Sequence, residues 1–542
     1  MKNIGEYDYV IIGAGSAGCV VANRLSADPE IRVLLIEAGP QDRNLWLKVP
    51  IGYAKTISNP SLSWNYQTAP EPELNDRSII WPRGKVLGGS SSVNGLIYTR
   101  GQAEDYDHWR QLGNSGWDYD SVLPYFRRSE KQIRGADEWH GDEGPLAVSD
   151  LEPNALSDSF IEAAQQEGLP FNPDFNGAAQ EGTGYFQVTT RKGVRCSAAQ
   201  AFLKPIRHRK NLQVLTRYLV TQLTFDGRRV TGVRFRDRTG KDLSVSAKYE
   251  VILSAGAINS PQILELSGIG SGNRLRQVGA DVVHDLRGVG CNLQDHFQVR
   301  SIFRCRKPIT LNDDMMNPLR QIMIGMDYIL RGSGPLTFRA GSAGCFTKVH
   351  PTSKTPDTQI HFITFSTDRP GEGLHNFSAF TSSTCQLRPE SRGGVHITSP
   401  DPAASPRIQA NYLSSARDQE MAVRGLQLSR RIVSQPAMAE FYQSEERPGS
   451  TLNSDEELLE FARETGGTIF HPVGTCKMGP VRDISAVVDA KLKVHGIDSL
   501  RVIDASIMPT LISANTNAPA IMIGESLIER HFALDSNLDN IL

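Results

Sequence analysis

Apolar positions set the first reading of the chain. Two short apolar runs, one ending at Ile12 and one ending at Ile36, are partly β-branched and uninterrupted. That is the pattern of parallel strands buried on both faces. Between them, residues 19–25 carry helix-compatible apolar spacing, so the opening predicts a strand–helix–strand unit. From 211 the pattern returns to strands at 212–215, 219–223, 230–235 and 249–253, with Asp226-Gly227 as a hairpin turn. The last of these runs into Gly256. Ser260 can cap the helix that follows, Pro261 suits its first turn and Gly268 its stop, so the chain rejoins the first sheet here.

Elsewhere the spacing predicts helices over 103–130, 157–167, 416–434 and 454–464, a helix start at 197–203, and a short strand at 187–190. In the first of these, Trp109, Leu112, Val122, Leu123 and Phe126 are the expected buried positions. Alternating stretches at 357–366, 376–388 and 393–399 predict an antiparallel sheet. Residues 317–331 place Leu319, Met323, Met326 and Leu330 at helical spacing. They read as a core-facing or lid helix in preference to one lying on a membrane. Near the end, a strand at 500–504, a polar loop at 505–516 and a proline-led helix at 519–530 repeat the order of the opening. No internal repeat or low-complexity tail is present.

Chemistry enters at the joints between these elements. The first strand stops at Gly13-Ala14-Gly15-Ser16-Ala17-Gly18. The three glycines permit a tight turn, close approach of backbone to a pyrophosphate, and packing of helix on strand. The anion would sit on the helix N-terminus. Glu37 ends the second strand, nineteen residues past Gly18, where a carboxylate accepts from ribose hydroxyls and argues against a 2′-phosphate. On these grounds NAD and FAD stay open. The stretch from Gly84 to Gly95 is rich in Gly and Ser; it reads either as a linker or as a source of N–H and hydroxyl donors for a flat polar ligand. His140 sits in a turn-rich loop and reads as solvated. His471, next to Pro472 in a glycine-rich loop, reads as structural or catalytic, and Cys476 beside it as buried filler.

Composition narrows the class. The 542 residues imply at least two domains. A formal charge of −2 with no basic block argues against nucleic acid as partner. Seven cysteines without a C-x-x-C pair signal neither disulfide framework nor zinc ribbon, and fit a reducing, cytoplasmic setting. The first strand starts too near Met1 to leave room for a signal peptide. No run approaches the ~18 apolar residues of a membrane span, so a transmembrane segment is not expected, while peripheral contact with the inner face of a membrane stays open.

Taken together, these pieces resemble the glucose–methanol–choline (GMC) family of FAD-dependent oxidoreductases, and most of all its choline-dehydrogenase-like alcohol dehydrogenases and oxidases. The stretches Gly84 to Asp107 and Gly256 to Gly270 are similar to the family's two signatures, and those beginning at His471 and Asp504 to its C-terminal motifs. The resemblance implies an α/β fold: a Rossmann-type FAD-binding domain (1–155, 196–305 and 465–542) and an α+β substrate domain (156–195 and 306–464) on an antiparallel sheet flanked by helices. It implies FAD at the N-terminal fingerprint, contacted by Gly13, Gly15, Ser16, Ala17, Gly18, Glu37 and Ala38. A second group of contacts is Arg83, Val86, Gly88, Gly89, Ser90, Asn94, Gly95, Leu96 and Ile97. A third is Val220, Ala255, Gly256, Asp504, Ala505, Asn515 and Thr516. Some members tether the flavin through a histidine in the glycine-serine stretch; this chain carries Val93 there, directly before Asn94, so non-covalent FAD is expected.

The family's catalytic pair, a histidine and an Asn or His 44 positions later, falls on His471 and Asn515. The implied reaction is oxidation of a primary alcohol to an aldehyde, with His471 as base, Asn515 holding the oxygen, and Phe365 and Phe470 in the substrate pocket. A hydroxynitrile-lyase-like, non-redox FAD protein of the same family is the alternative; a plain nucleotide-binding module and a photodecarboxylase-like activity are more distant ones. The acceptor, O2 or a quinone- or dye-type oxidant, and the oligomeric state are open at this stage. So is the alcohol. Choline would need an aromatic cage and a carboxylate, for which Phe365, Phe377, Phe380 and Glu372 are candidates.

Overall fold

A computed structural model describes residues 1–337, 341–369 and 371–527. Two seven-stranded sheets organise the chain. In the first, Leu212–Thr216, Val33–Glu37, Lys2–Ile12 and Asp242–Leu253 run parallel, in that order. The long strand Asp242–Leu253 does double duty. Its first half pairs antiparallel with Arg229–Arg236, which hairpins onto Leu219–Asp226, while its last residues pair parallel with Leu500–Val502. The opening and the far end of the chain are thereby brought into one sheet, on either side of Asp242–Leu253. The strands Lys2–Ile12 and Val33–Glu37 are buried where they flank the glycine turn, as their unbroken apolar character requires. Helix Ser16–Leu25 packs against helix Asn517–Glu525, and the Arg24–Glu525 ion pair at 2.7 Å locks them. The expected helix at 519–530 starts two residues earlier than its proline suggests, and residues 528–530 lie outside the described ones.

The second sheet is antiparallel throughout, in the order Tyr442–Arg447, Phe297–Cys305, Ala379–Gln386, Thr358–Ile363, Ala343–Thr347, Gly182–Tyr185, with Gly467–Thr468 beside Phe297–Cys305. Helices Ala155–Gln166 and Ala416–Val433 cover one face. The other face turns toward the first sheet. Phe297–Cys305, placed above with the first domain, is a central strand here. Residues 393–399 do not join this sheet. Gly394–His396 instead pairs with Arg407–Gln409 in a separate ribbon.

Several sequence expectations are corrected by burial. The 103–130 helix is two helices, Ala103–Gln111 and Tyr119–Ser129, and Leu112 at their joint is exposed while Trp109, Val122 and Phe126 are fully buried. His140 is not solvated; it is buried between Glu130 and Asp174, whose carboxylates push its pKa up to about 9 against the effect of burial. Helix Pro318–Arg331 faces neither core nor pocket with its apolar stripe. None of its residues is buried, and Leu319, Met323 and Ile329 are 71%, 68% and 81% exposed. Its half-buried side is the one carrying Asp327 and Tyr328, the latter donating to the Gly193 carbonyl. The helix is amphipathic in the direction opposite to a core helix, which periodicity alone does not reveal. Among the described residues no helix is long and apolar enough to cross a membrane, and all seven cysteines are free thiols.

Candidate functional site

A continuous slot runs between the two sheets, from the end of the first parallel strand to the face of the antiparallel sheet. Two adjoining cavities form it and share Ser16, Arg83, Ser90, Ala505 and Ala520. At its near end Gly13 sits at φ +97°, and a Cβ there would lie 2.5 Å from the Ser254 carbonyl oxygen. A Cβ on Gly18 would lie 1.9 Å from the Gly13 carbonyl oxygen, so this residue sets helix against strand. Helix Ser16–Leu25 has no side-chain cap, which leaves its first N–H groups directed at the slot. Glu37 accepts from the backbone N–H groups of Ala14 at 2.9 Å and Gly39 at 2.7 Å, one on each oxygen. Each oxygen keeps a further lone pair. Burial outweighs these donors and pushes the carboxyl pKa up to about 7, so additional hydroxyl donors would be favourable there. Asp504 ties the C-terminal segment to the slot by accepting from Gly256 N–H at 2.8 Å and Ser260 Oγ–H at 2.6 Å.

At the far end, residues 471 and 515 meet. The Asn515 Nδ2 lies 3.2 Å from His471 Nε2. Asn515 Oδ1 accepts from Thr99 Oγ1 at 3.0 Å, and Thr99 Oγ1 in turn accepts from Asn515 N–H at 3.1 Å, so the amide's orientation is fixed. His471 follows Phe470, whose φ of +71° is rare for a bulky residue. Arg83 Nη1 donates to the Phe470 carbonyl at 2.8 Å and holds that turn. Asp295 accepts the backbone N–H of His471 at 2.7 Å, together with the hydroxyls of Thr468 and Tyr412 at 2.5 Å each.

The protonation of His471 follows from a chain of partners. His296 Nε2 lies 3.0 Å from the Leu387 carbonyl, which only accepts, so that nitrogen carries the hydrogen. Neutral His296 therefore offers a lone pair at Nδ1. His471 Nδ1 is 3.0 Å away and donates to it. His471 Nε2 is left as a lone pair on the cavity side, facing the Asn515 amide. Burial, then His296, His361 and Arg83, hold the His471 pKa well below the ordinary histidine value. Burial likewise pushes His296 down to about 4. The imidazole pair is thus neutral, with one base site pointing at the space where a ligand would lie.

The slot brings most of the expected residues together. Gly13, Gly15, Ala17, Glu37, Ala38, Gly89, Val220, Ala255, Gly256 and Asp504 line its near part. Asn94, Gly95, Leu96, Ile97, Phe365, Phe470, His471, Asn515 and Thr516 line its far part. Three do not line it. Gly18 and Gly88 are packed against the chain behind, and Val86 is in a small apolar cluster with Leu47, Leu62 and Val93. Of the cage candidates, only Phe365 and Glu372 reach the cavity. Phe377 stacks on His375 beneath the Arg304 guanidinium, and Phe380 is buried against Phe303 and Phe362. Sequence reading missed Thr99, Asp295 and His296. The last two stand side by side in a polar loop just before an apolar strand, and their partners, Tyr412, Thr468, His471 and the Leu387 carbonyl, are all distant in sequence.

The chain is similar to known proteins over nearly its whole length. Two family models, both described as GMC oxidoreductase, match residues 7–298 and 389–524. An alcohol dehydrogenase [acceptor] of Pseudomonas putida is 42% identical over 96% of this chain and 95% of its own. The mitochondrial choline dehydrogenase of Mus musculus is 42% identical over 98% of this chain and 90% of its own. Among solved structures, the pyridoxine 4-oxidase from Mesorbium loti superposes with a TM-score of 0.88 at 32% identity, covering 97% of this chain and 99% of that one.

Proposed function

The chain belongs to the GMC oxidoreductase family, and from that premise we propose that it is an FAD-dependent enzyme oxidising a primary alcohol to an aldehyde. The observation that carries this reading is the His471 Nε2 lone pair, 3.2 Å from the Asn515 amide, at the end of the slot that begins at Glu37. The slot fits the cofactor: spare lone pairs on Glu37 for ribose hydroxyls, uncapped N–H groups at Ser16 and Ala17 for the pyrophosphate, and Gly89, Ser90, Asn94 and Gly95 for the flavin end. Val93 lines the cavity with an unreactive side chain, which supports non-covalent binding. Bound FAD supplies the two-electron acceptor for the hydride that leaves the carbinol carbon.

The chain's own residues do the rest. His471 accepts the hydroxyl proton at Nε2, a role usually worth about 10²–10⁴ in rate. His296 keeps that lone pair aimed by taking the Nδ1 hydrogen. Asn515 donates to the substrate oxygen and holds it beside the base. Phe365 and Phe470 wall the reacting carbon. Under nitrogen, a primary alcohol is expected to bleach the yellow absorbance of purified protein. A colour that persists through a broad alcohol panel would reject redox turnover in favour of the lyase-like alternative. Repeating the assay with O2 and with a quinone-type dye identifies the acceptor.

The outward apolar face of Pro318–Arg331 supports peripheral attachment to lipid. A stripe about 21 Å by 10 Å is far below the ~800 Å² per partner of a stable dimer, whereas a single helix suffices for shallow insertion. Arg320 and Arg331 bracket the stripe, and no acidic residue interrupts it. Flotation with anionic vesicles checks this: binding that survives Met323→Gln with Ile329→Gln would dismiss it.

A further inference from the structure

The cavity beyond His471 is floored by the antiparallel sheet. Alternation on Phe297–Cys305 sends Gln298 and Arg300 to the same face. The register sets Arg300 opposite Ser383, and Ser383 opposite His361. All four residues line the cavity. Three of them bring no free charge. Gln298 donates to the Thr468 carbonyl at 2.9 Å and accepts from Ser383 at 2.6 Å. His361 is neutral, pushed down to about 3 by burial.

Arg300 is different. Its Nε is shut off from solvent and has no hydrogen-bond partner among the described residues. Asp368 and Glu372 act on it only at a distance. Asp368 is already engaged by Arg447 at 2.6 Å and His375 at 3.2 Å, and Glu372 stands at the exposed rim. The neighbouring Tyr53 phenol also lines the cavity, and burial pushes its pKa up to about 12, so it is a neutral donor and supplies no counter-charge. A guanidinium does not relieve such a position by losing its proton. An unpaired, desolvated cation is costly, and its natural complement is a planar anion taking two N–H bonds. A quaternary ammonium in the same space would meet like charge.

Strand rise places residue 300 about 13 Å along the backbone from residue 296, beside the base; the long arginine side chain closes part of that distance. An α-hydroxy acid is too short to bridge it. Resting on the alcohol-oxidation reading above, we propose that Arg300 and Tyr53 set the substrate class: a primary alcohol bearing a carboxylate several bonds from its carbinol carbon. A carboxylate is favoured over a phosphate because the neighbouring guanidiniums are engaged, Arg83 by the Phe470 carbonyl and Arg195 by Ser91 and Asn94.

The test compares 4-(hydroxymethyl)benzoate with its neutral amide, its phosphate-bearing counterpart 4-(hydroxymethyl)benzyl phosphate, and choline, in the flavin-loaded enzyme. The carboxylate should exceed the amide in kcat/KM by about 100-fold, and Arg300→Gln should bring that ratio close to one, with Arg300→Lys between. An amide as good as the carboxylate, a preference for choline or for the phosphate, or a ratio that survives Arg300→Gln overturns the proposal. Binding of 4-methylbenzoate, which has no hydroxyl to oxidise, is measured by calorimetry on wild type and Arg300→Gln. It should weaken about 100-fold in the variant. This arm needs no turnover, so tight, Arg300-dependent binding without any alcohol oxidation would sink the catalytic reading alone, while equal binding to both proteins sinks the anion site.

Discussion

The two ends of the slot are built from different material. The near end is backbone: a glycine turn, helix N–H groups, and one carboxylate at a strand terminus. The far end is side chain: His471, Asn515 and Arg300, delivered from the C-terminal section and from a strand of the other sheet, with His296 behind His471. Backbone sites are damaged by adding atoms, because the ligand or a carbonyl already occupies the space a Cβ would take. Side-chain sites are damaged by removing them. The contrast predicts opposite sensitivities to substitution along a single cavity.

Gly13→Ala tests the near end and should have the largest effect. The added methyl would stand 2.5 Å from the Ser254 carbonyl, at a φ that L-residues rarely adopt. The expected product is a folded but colourless protein with no alcohol oxidation, checked by circular dichroism beside the flavin absorbance. A yellow, active variant would show that the turn tolerates bulk and that the contrast is mistaken. His471→Ala tests the far end and should do the reverse: full colour, with flavin reduction by alcohol slowed about 10³-fold. Asn515→Ala comes next, at about 10², because the base remains but the substrate oxygen loses its donor. Stopped-flow bleaching measures both, and loss of colour in either would put these residues in cofactor retention instead.

The same contrast explains what could be read from the sequence. The glycine turn and Glu37 of the near end lie within forty residues and their spacing is local, so strand, glycines, helix and Glu37 were legible in order. His471 and Asn515 became legible through the resemblance of their surrounding motifs, not through periodicity. Arg300, Ser383 and His361 form a row only because three antiparallel strands pair in one register, and nothing local in the sequence states that register. Helix Pro318–Arg331 shows the same limit in another form. Its period was plain from the spacing, but which side faces water depends on partners distant in sequence. His140 was misread for that reason too: its carboxylate neighbours come from positions 130 and 174.

The smallest effect sharpens the comparison most, because His296 touches neither cofactor slot nor substrate and acts through His471. With Ala at 296, the His471 Nδ1–H loses its acceptor and the imidazole is free to turn, so the rate should fall about 10-fold, the lower end for partners that fix a histidine's tautomer. Gln at 296 can still accept through Oε1 and should restore most of the rate. The pH profile separates positioning from mere packing. A base with a lowered pKa keeps its proton-accepting form into acid, so wild-type flavin reduction should hold its plateau below pH 6.5 and fail only as pH drops through the lower value. Burial is the main cause of that depression and His296 the next. Shortening residue 296 to Ala lets water reach the buried ring and weakens the larger of these causes, so the acid limb should move upward, toward the ordinary histidine value. A variant that is slower but keeps the wild-type limb would make His296 a packing residue, and would leave the aim of the His471 lone pair to Asp295 and the turn at Phe470.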